Sequence, residues 1–211
     1  SKMVGIENTT NKGGGACYEI ETLQEIKQVC VAHNLKYHLD GARLWNAMIA
    51  KKQHPKQFGA LFDTISVCFS KGLGAPIGSV LVSDAETIKR ALRIRKMFGG
   101  NLRQSGYLAA AGIYALQNNI NRLEDDHRRA KELGVKLQQL SWVAKVEPVE
   151  TNIVVFAVQP HITDKEVIDK LSQKGIAISL LAKGTLRMVT HLDYKEVMHT
   201  YVLEALEKMV F

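Results

Sequence analysis

Ser66-Val67-Cys68-Phe69-Ser70-Lys71-Gly72-Leu73-Gly74 decides the fold class. Its first half continues a β-rich run from Thr64, apolar on both faces, as expected of a strand covered by helices on each side. Its second half places a lysine in a glycine-punctuated turn just past the strand's carboxyl end. Working toward the N-terminus, Leu35 to Leu39 reads as another strand, closing on His38-Leu39-Asp40-Gly41-Ala42-Arg43. The apolar spacing of Leu23, Ile26, Val29 and Cys30 makes Glu21 to His33 a helix. Gly41 to Lys51 reads as a further helix and the Pro55 region as a loop. Helix and strand therefore alternate, the signature of an α/β fold with a mostly parallel sheet and flanking helices. Asp40 and Lys71 both fall at carboxyl ends of strands, the edge of an open parallel sheet where ligands bind.

Outside this segment, Met3 to Ile6 is a short apolar run, followed by the glycine-rich loop Lys12-Gly13-Gly14-Gly15. Ser79 to Val82 reads as a strand, and three helical segments cover roughly Asp84 to Leu140. The middle one, Ser105 to Leu116, is so apolar that it is expected to pack against the sheet or a subunit partner. Beyond Pro148 the order is strand (Ile153 to Val158), helix (Thr163 to Lys174), two strands (Ile176 to Leu180 and Leu186 to Thr190) and helix (Tyr194 to Val210). That order describes a small α+β unit. The boundary is expected near residues 141–150, giving an α/β portion over 1–145 and a C-terminal α+β domain over 146–211.

Composition narrows the function classes. With 211 residues, 46% of them hydrophobic, the chain can bury a sizeable core. No run approaches the roughly 18–20 apolar residues of a membrane span, and Ser1-Lys2-Met3-Val4-Gly5-Ile6 lacks the regions of a signal peptide. A cytoplasmic protein is the expectation. Cys17, Cys30 and Cys68 match no zinc or redox spacing, so they are expected to be small hydrophobes in a reducing compartment, with no metal site. The net charge of +7 is spread out except around Lys89, Arg90, Arg93, Arg95, Lys96 and Arg103. Interleaved aromatics and a nucleic-acid motif are missing there, so a solvated helix face or a small-anion site is expected instead of nucleic-acid binding. His33, His54, His127, His161 and His199 have no metal-ligand spacing and are read as surface or helix-end residues.

Lys71 and Asp40 suggest a specific chemistry. An amine in a tight glycine turn can condense with an aldehyde, but only in its neutral form, which burial and nearby cations favour. Arg43 and Arg103 are the candidate cations. A carboxylate such as Asp40, paired with a cofactor's ring nitrogen, keeps that nitrogen protonated and makes the ring an electron sink. On spacing alone, a lone Asp-Gly is usually an ordinary turn and a lone Lys-Gly-x-Gly an ordinary loop.

Four ordered blocks add a family resemblance. They are His38-Leu39-Asp40-Gly41-Ala42-Arg43-Leu44-Trp45-Asn46-Ala47; Ser66 through Ser79 around Lys71; Arg95-Lys96-Met97-Phe98-Gly99-Gly100-Asn101-Leu102-Arg103-Gln104-Ser105-Gly106; and Arg187-Met188-Val189-Thr190-His191-Leu192-Asp193. In that order the chain resembles the low-specificity L-threonine aldolases, from Glu7-Asn8-Thr9 almost to the C-terminus. The resemblance implies part of a fold-type I pyridoxal phosphate (PLP) enzyme's large domain plus a small C-terminal domain. It also implies a homotetramer that cleaves L-threonine and L-allo-threonine, β-hydroxy amino acids, to glycine and acetaldehyde. By position, Lys71 forms the Schiff base, Asp40 pairs with the pyridine nitrogen and Arg103 contacts the cofactor phosphate. Arg43 and Arg187 hold the substrate carboxylate, with Arg43 also close to the cofactor.

The chain departs from that pattern in three places. Thr10 stands where the family usually has a histidine near the substrate hydroxyl, and a threonine is no base near neutral pH. Asn101 replaces a glycine, at a position where asparagine's tolerance of positive φ would help. The family's long portion before Glu-Asn-Thr, which carries a phosphate-binding loop and a ring-stacking histidine, does not precede this stretch. An N-terminally truncated chain, impaired when alone, is therefore expected. Other readings are a β-eliminating lyase or aminotransferase of the same fold, or a non-catalytic fragment serving as an interaction module.

Overall fold

The computed structural model describes residues 1–211, which form two compact units. Unit 1 comprises Ser1–Thr9 and Cys17–Arg122. Its elements are β1 (Met3–Glu7), α1 (Ile20–Ala32), β2 (Lys36–Gly41), α2 (Leu44–Lys51), α3 (Pro55–Leu61), β3 (Thr64–Cys68), β4 (Ser79–Ser83), α4 (Ala85–Met97) and α5 (Gly106–Asn118). The sheet order is β1-β2-β3-β4, with β1, β2 and β3 parallel and β4 antiparallel at one edge. Glu7 is level with Asp40, and Asp40 with Ser66, so the carboxyl ends of three strands stand side by side. Leu23, Tyr37, Leu39, Leu44, Phe58, Ile65 and Val67 form the core beneath them.

One expectation for this unit changes. The Pro55 region is the helix α3. His54 caps it, its Nδ1 accepting from Lys56 N at 3.2 Å while its own N donates to Gln57 Oε1 at 2.6 Å. Pro55 starts the helix because a residue there needs no N–H partner, so reading the proline as loop missed its N-terminal role. The apolar α5 buries only Gly112 and Ala115, and a Cβ at Gly112 would sit 3.3 Å from the Phe69 ring. Tyr107, Ile113 and Tyr114 are 87%, 56% and 63% exposed. On β4 and α4, Val80, Leu81, Val82, Leu92, Ile94 and Met97 are exposed as well.

Unit 2 comprises Thr10–Ala16 and Leu123–Phe211. Its elements are α6 (Leu123–Gln138), β5 (Val143–Val146), β6 (Ile153–Val158), α7 (Asp164–Gln173), β7 (Ser179–Ala182), β8 (Thr185–Val189) and α8 (Glu196–Glu207). The sheet β5-β6-β8-β7 is antiparallel throughout. The break between units falls after Arg122, not near 141–150, because α6 packs on β5, β6 and α8 and buries Leu123, Ala130, Leu133 and Leu137. His127 and His199 are buried, correcting the surface reading. Each lies on the inner face of an amphipathic helix, and His199 bonds Glu132 Oε2 at 2.7 Å and Tyr194 Oη at 3.1 Å.

The glycine loop joins unit 2 through close backbone approach. Gly15 has φ +81, and a Cβ there would meet Thr151 Oγ1 at 2.3 Å and Ile153 Cβ at 3.3 Å. Thr151 Oγ1 instead donates to Gly15 O at 2.8 Å. Only a residue without a side chain fits both the conformation and the space. No helix of the chain is long and apolar enough to cross a membrane.

Candidate active site

In unit 1 the carboxyl ends of β1, β2 and β3 carry the residues of interest. Asp40, near the end of β2, is exposed, and its Oδ1 accepts from Ala42 N at 3.1 Å, an aspartate-turn bond that orients the carboxylate. Gly41 follows because a Cβ there would lie 2.7 Å from Ser66 O on β3. That close approach lets the chain turn into α2 with half-buried Arg43 as its N-terminal cap residue. Arg43 therefore sits beside Asp40 in the turn that leaves the same strand.

Lys71 follows β3 in a turn that is firmly held although the side chain is exposed. Gly74 N donates to Lys71 O at 2.9 Å and Ala75 N to Phe69 O at 3.0 Å, while Leu73 is fully buried as the turn's anchor. Just past α5, Asn119 Nδ2 donates to Leu73 O at 2.7 Å and Arg122 Nη1 to Gly72 O at 3.4 Å. These two brace residues escaped the sequence reading, since nothing in a helix end announces which distant carbonyl it will reach. Lys71 and Asp40 therefore leave neighbouring strands at one sheet edge. Arg103 is exposed in the segment between α4 and α5. Burial of Lys71, one of the two influences expected to favour its neutral form, is not supplied by these residues.

Asn8 was also missed as a candidate site residue. It follows β1 directly and its N donates to Asp40 O at 3.0 Å. Its side chain is fully buried, yet neither Nδ2 nor Oδ1 has a hydrogen-bond partner, and the neighbouring Thr9 Oγ1 is in the same state. An unsatisfied buried polar group costs about 1–3 kcal/mol, so such a pair at a ligand edge signals a polar partner. The sequence signal was an asparagine at the end of a strand beside the candidate carboxylate.

Arg187 lies on β8 of unit 2, half-buried. Its Nε donates to Ser179 Oγ at 3.2 Å, directly across the β7–β8 ladder, and its Nη1 donates to Asn11 Oδ1 at 2.9 Å. Thr10, in the glycine loop, donates its hydroxyl to Ala16 O at 3.4 Å.

The sequence profile of the beta-eliminating lyase family matches residues 1–160. The chain belongs to that family. It is 39% identical to the low specificity L-threonine aldolase of Escherichia coli strain K12, over 92% of this chain and 56% of the relative. It is 36% identical to low-specificity L-threonine aldolase 1 of Arabidopsis thaliana, over 90% of this chain and 54% of the relative. The chain therefore spans little more than half the length of these curated relatives. Among solved structures, threonine aldolase of Leishmania major superposes with a TM-score of 0.80 at 21% identity, over 98% of this chain and 60% of that one. At that identity the likeness concerns the fold, and it agrees with the α/β architecture expected from the ordered blocks.

Proposed function

We propose that the intact protein is a PLP-dependent carbon–carbon lyase that cleaves L-threonine and L-allo-threonine to glycine and acetaldehyde, with Lys71 bonded to the cofactor. The observation that carries this reading is the departure of Asp40 and Lys71 from neighbouring strands at one sheet edge, beside the unpartnered buried amide of Asn8. The cofactor suits this set of groups on chemical grounds: an acid for a ring nitrogen, an amine for an aldehyde, an amide for a ring oxygen and the Arg103 cation for a phosphate. When bound, PLP supplies a carbonyl that condenses with amines and a ring that accepts an electron pair.

The chain's own residues do the rest. Asp40, oriented by Ala42 N, would hold a proton at the ring nitrogen. Arg43 and Arg187 are each assigned to the substrate carboxylate, where a planar guanidinium would grip two oxygens and so orient the bonds at Cα. Such orientation by the two arginines would favour cleavage of the Cα–Cβ bond over loss of the Cα proton. The β-hydroxyl proton must leave for that bond to break. Thr10 has no basic group to take it, so the acceptor is another residue or a water. A homo-oligomer, assigned as a tetramer, and a cytoplasmic location complete the proposal, and the exposed apolar residues of β4, α4 and α5 support assembly.

The test is to incubate the intact protein with PLP and L-threonine. Glycine and acetaldehyde in equal amounts, lost in Lys71→Ala, is the expected result. Pyruvate and ammonia from a substrate with a good β-leaving group, or a keto acid from an amino donor, without threonine cleavage, would replace this reading with another PLP chemistry.

A further inference from the structure

We propose that Asn11 is a positioning residue that sets the affinity of this protein for carboxylate-bearing ligands by tethering the guanidinium of Arg187 without neutralising it. The proposal rests on the reading of Arg187 as a substrate-carboxylate residue and deepens it. Two neutral acceptors hold this guanidinium from two sides: Ser179 Oγ takes Nε at 3.2 Å and Asn11 Oδ1 takes Nη1 at 2.9 Å. Nη2 and its two hydrogens are engaged by neither.

Choice of partner matters here. A carboxylate tether would form the stronger, charge-assisted bond and would also cancel the cation's field. Asn11 and Ser179 give direction without that cancellation, so the full positive charge stays available to an incoming anion. The loop that carries Asn11 is itself fixed. Gly15 lies close against Thr151 and Ile153, Thr151 Oγ1 donates to Gly15 O at 2.8 Å, and Thr10 N donates to Ala16 O at 3.1 Å. Asn11 is therefore delivered to Arg187 by a loop seated on β6 and the turn before it, and this role belongs to the same Glu-Asn-Thr-Thr-Asn stretch whose Thr10 supplies no base.

A neutral tether makes a prediction that simple structural support does not. Asp is the closest isostere of Asn and keeps an acceptor for Nη1, so a purely structural role ranks Asn11→Asp above Asn11→Ala. Charge-preserving positioning ranks them the other way. The experiment measures equilibrium binding of glycine to the PLP-loaded intact protein through the change in the cofactor's visible absorbance, with 2-aminoethanol as the carboxylate-free control. Loss of one hydrogen bond in Asn11→Ala is expected to weaken glycine binding about 10-fold. Asn11→Asp, which pairs the cation internally, is expected to weaken it by about 100-fold. Binding of 2-aminoethanol should stay within about 2-fold of wild type in both, since it presents no anion.

If Arg187→Ala weakens glycine binding while both Asn11 variants bind as wild type, the tether is idle and the inference fails with the clamp intact. If Arg187→Ala itself leaves glycine binding unchanged, the underlying clamp reading is what fails. Equal losses for glycine and 2-aminoethanol would mean that the variants disturb the fold and would also overturn the inference. Should Asn11→Ala fold poorly, the isosteric Asn11→Asp decides the matter by itself: unimpaired glycine binding there refutes the need for a neutral tether.

Discussion

Asp63 ties unit 1 together, and replacing it tests how the sheet is anchored to α1. Just ahead of β3, its Oδ2 accepts from Tyr37 N at 2.8 Å and from Lys27 Nζ at 3.2 Å, while its Oδ1 accepts from Lys36 Nζ at 3.1 Å. The side chain is 27% exposed, against 28% for Lys27 and 76% for Lys36. The bond from a backbone N–H to a carboxylate contributes about 1.5–3 kcal/mol. The half-buried Lys27 pair adds up to about 1 kcal/mol and the exposed Lys36 pair about 0–0.5 kcal/mol. Asp63→Ala is therefore expected to lower stability by about 2–4 kcal/mol at pH 7, and Asp63→Asn, which keeps an acceptor for Tyr37 N, by about 1 kcal/mol.

The pH dependence has a definite sign. Burial pushes the Asp63 carboxyl up, but the Tyr37 N–H and the two lysines more than offset this and hold it below the usual carboxylate range. A carboxyl that binds its proton more weakly when folded stabilises the fold fully above its unfolded pKa of about 3.9. That stabilisation fades as pH falls through the depressed folded value. Urea unfolding of wild type and Asp63→Asn should therefore show a gap at pH 7 that persists to pH 5 and closes below about pH 4. A gap of the same size at every pH, or an Asp63→Ala variant within about 0.5 kcal/mol of wild type, would refute the reasoning.

Further substitutions probe other joints. Gly15→Ala forces an alanine into left-handed backbone, for about 1–2 kcal/mol, and displaces the Thr151 hydroxyl at a further cost of about 1 kcal/mol; a thermal midpoint equal to wild type would show that the loop is not seated as described. Phe156, fully buried with its ring centroid 6.1 Å from that of Trp142, anchors the core of unit 2. Its truncation to alanine should cost about 3–5 kcal/mol in chemical denaturation, and less than about 1 kcal/mol would mean a core that closes over the gap. Thr163 and Glu166 form a reciprocal cap on α7. Thr163→Ala should lower stability by about 1 kcal/mol, measurable as a lower urea midpoint with unchanged slope.

The parallel strands were legible from short β-rich runs with apolar residues such as Tyr37 and Leu39 on β2 and Ile65 and Val67 on β3, and Asp40 and Lys71 because each stands at or just past the end of such a run before a glycine. Other elements were hidden for physical reasons. β5 has only four residues, with exposed Ala144 and Lys145 in its middle, too short a run for alternation to stand out. α3 depends on a His54 cap and a leading proline, the residue that punctuates loops as readily as it starts helices. The membership of the glycine loop in unit 2 rests on the Gly15–Thr151 contact across 136 residues of sequence, which local pattern cannot register. In the site, the identities of Arg187 and Lys71 came from ordered blocks. The tethers and braces around them, Asn11, Ser179, Asn119 and Arg122, are tertiary matters, as is the unpartnered amide of Asn8.

One covalent bond, between Lys71 and the cofactor, underlies the proposed chemistry, and mass spectrometry can locate it. Intact protein saturated with PLP would be reduced with borohydride, digested and mapped. The expected result is a single pyridoxyl-bearing peptide, modified at Lys71 and absent in Lys71→Arg. A label on a different lysine, or tightly bound PLP with no reducible bond to the chain, would contradict the assignment.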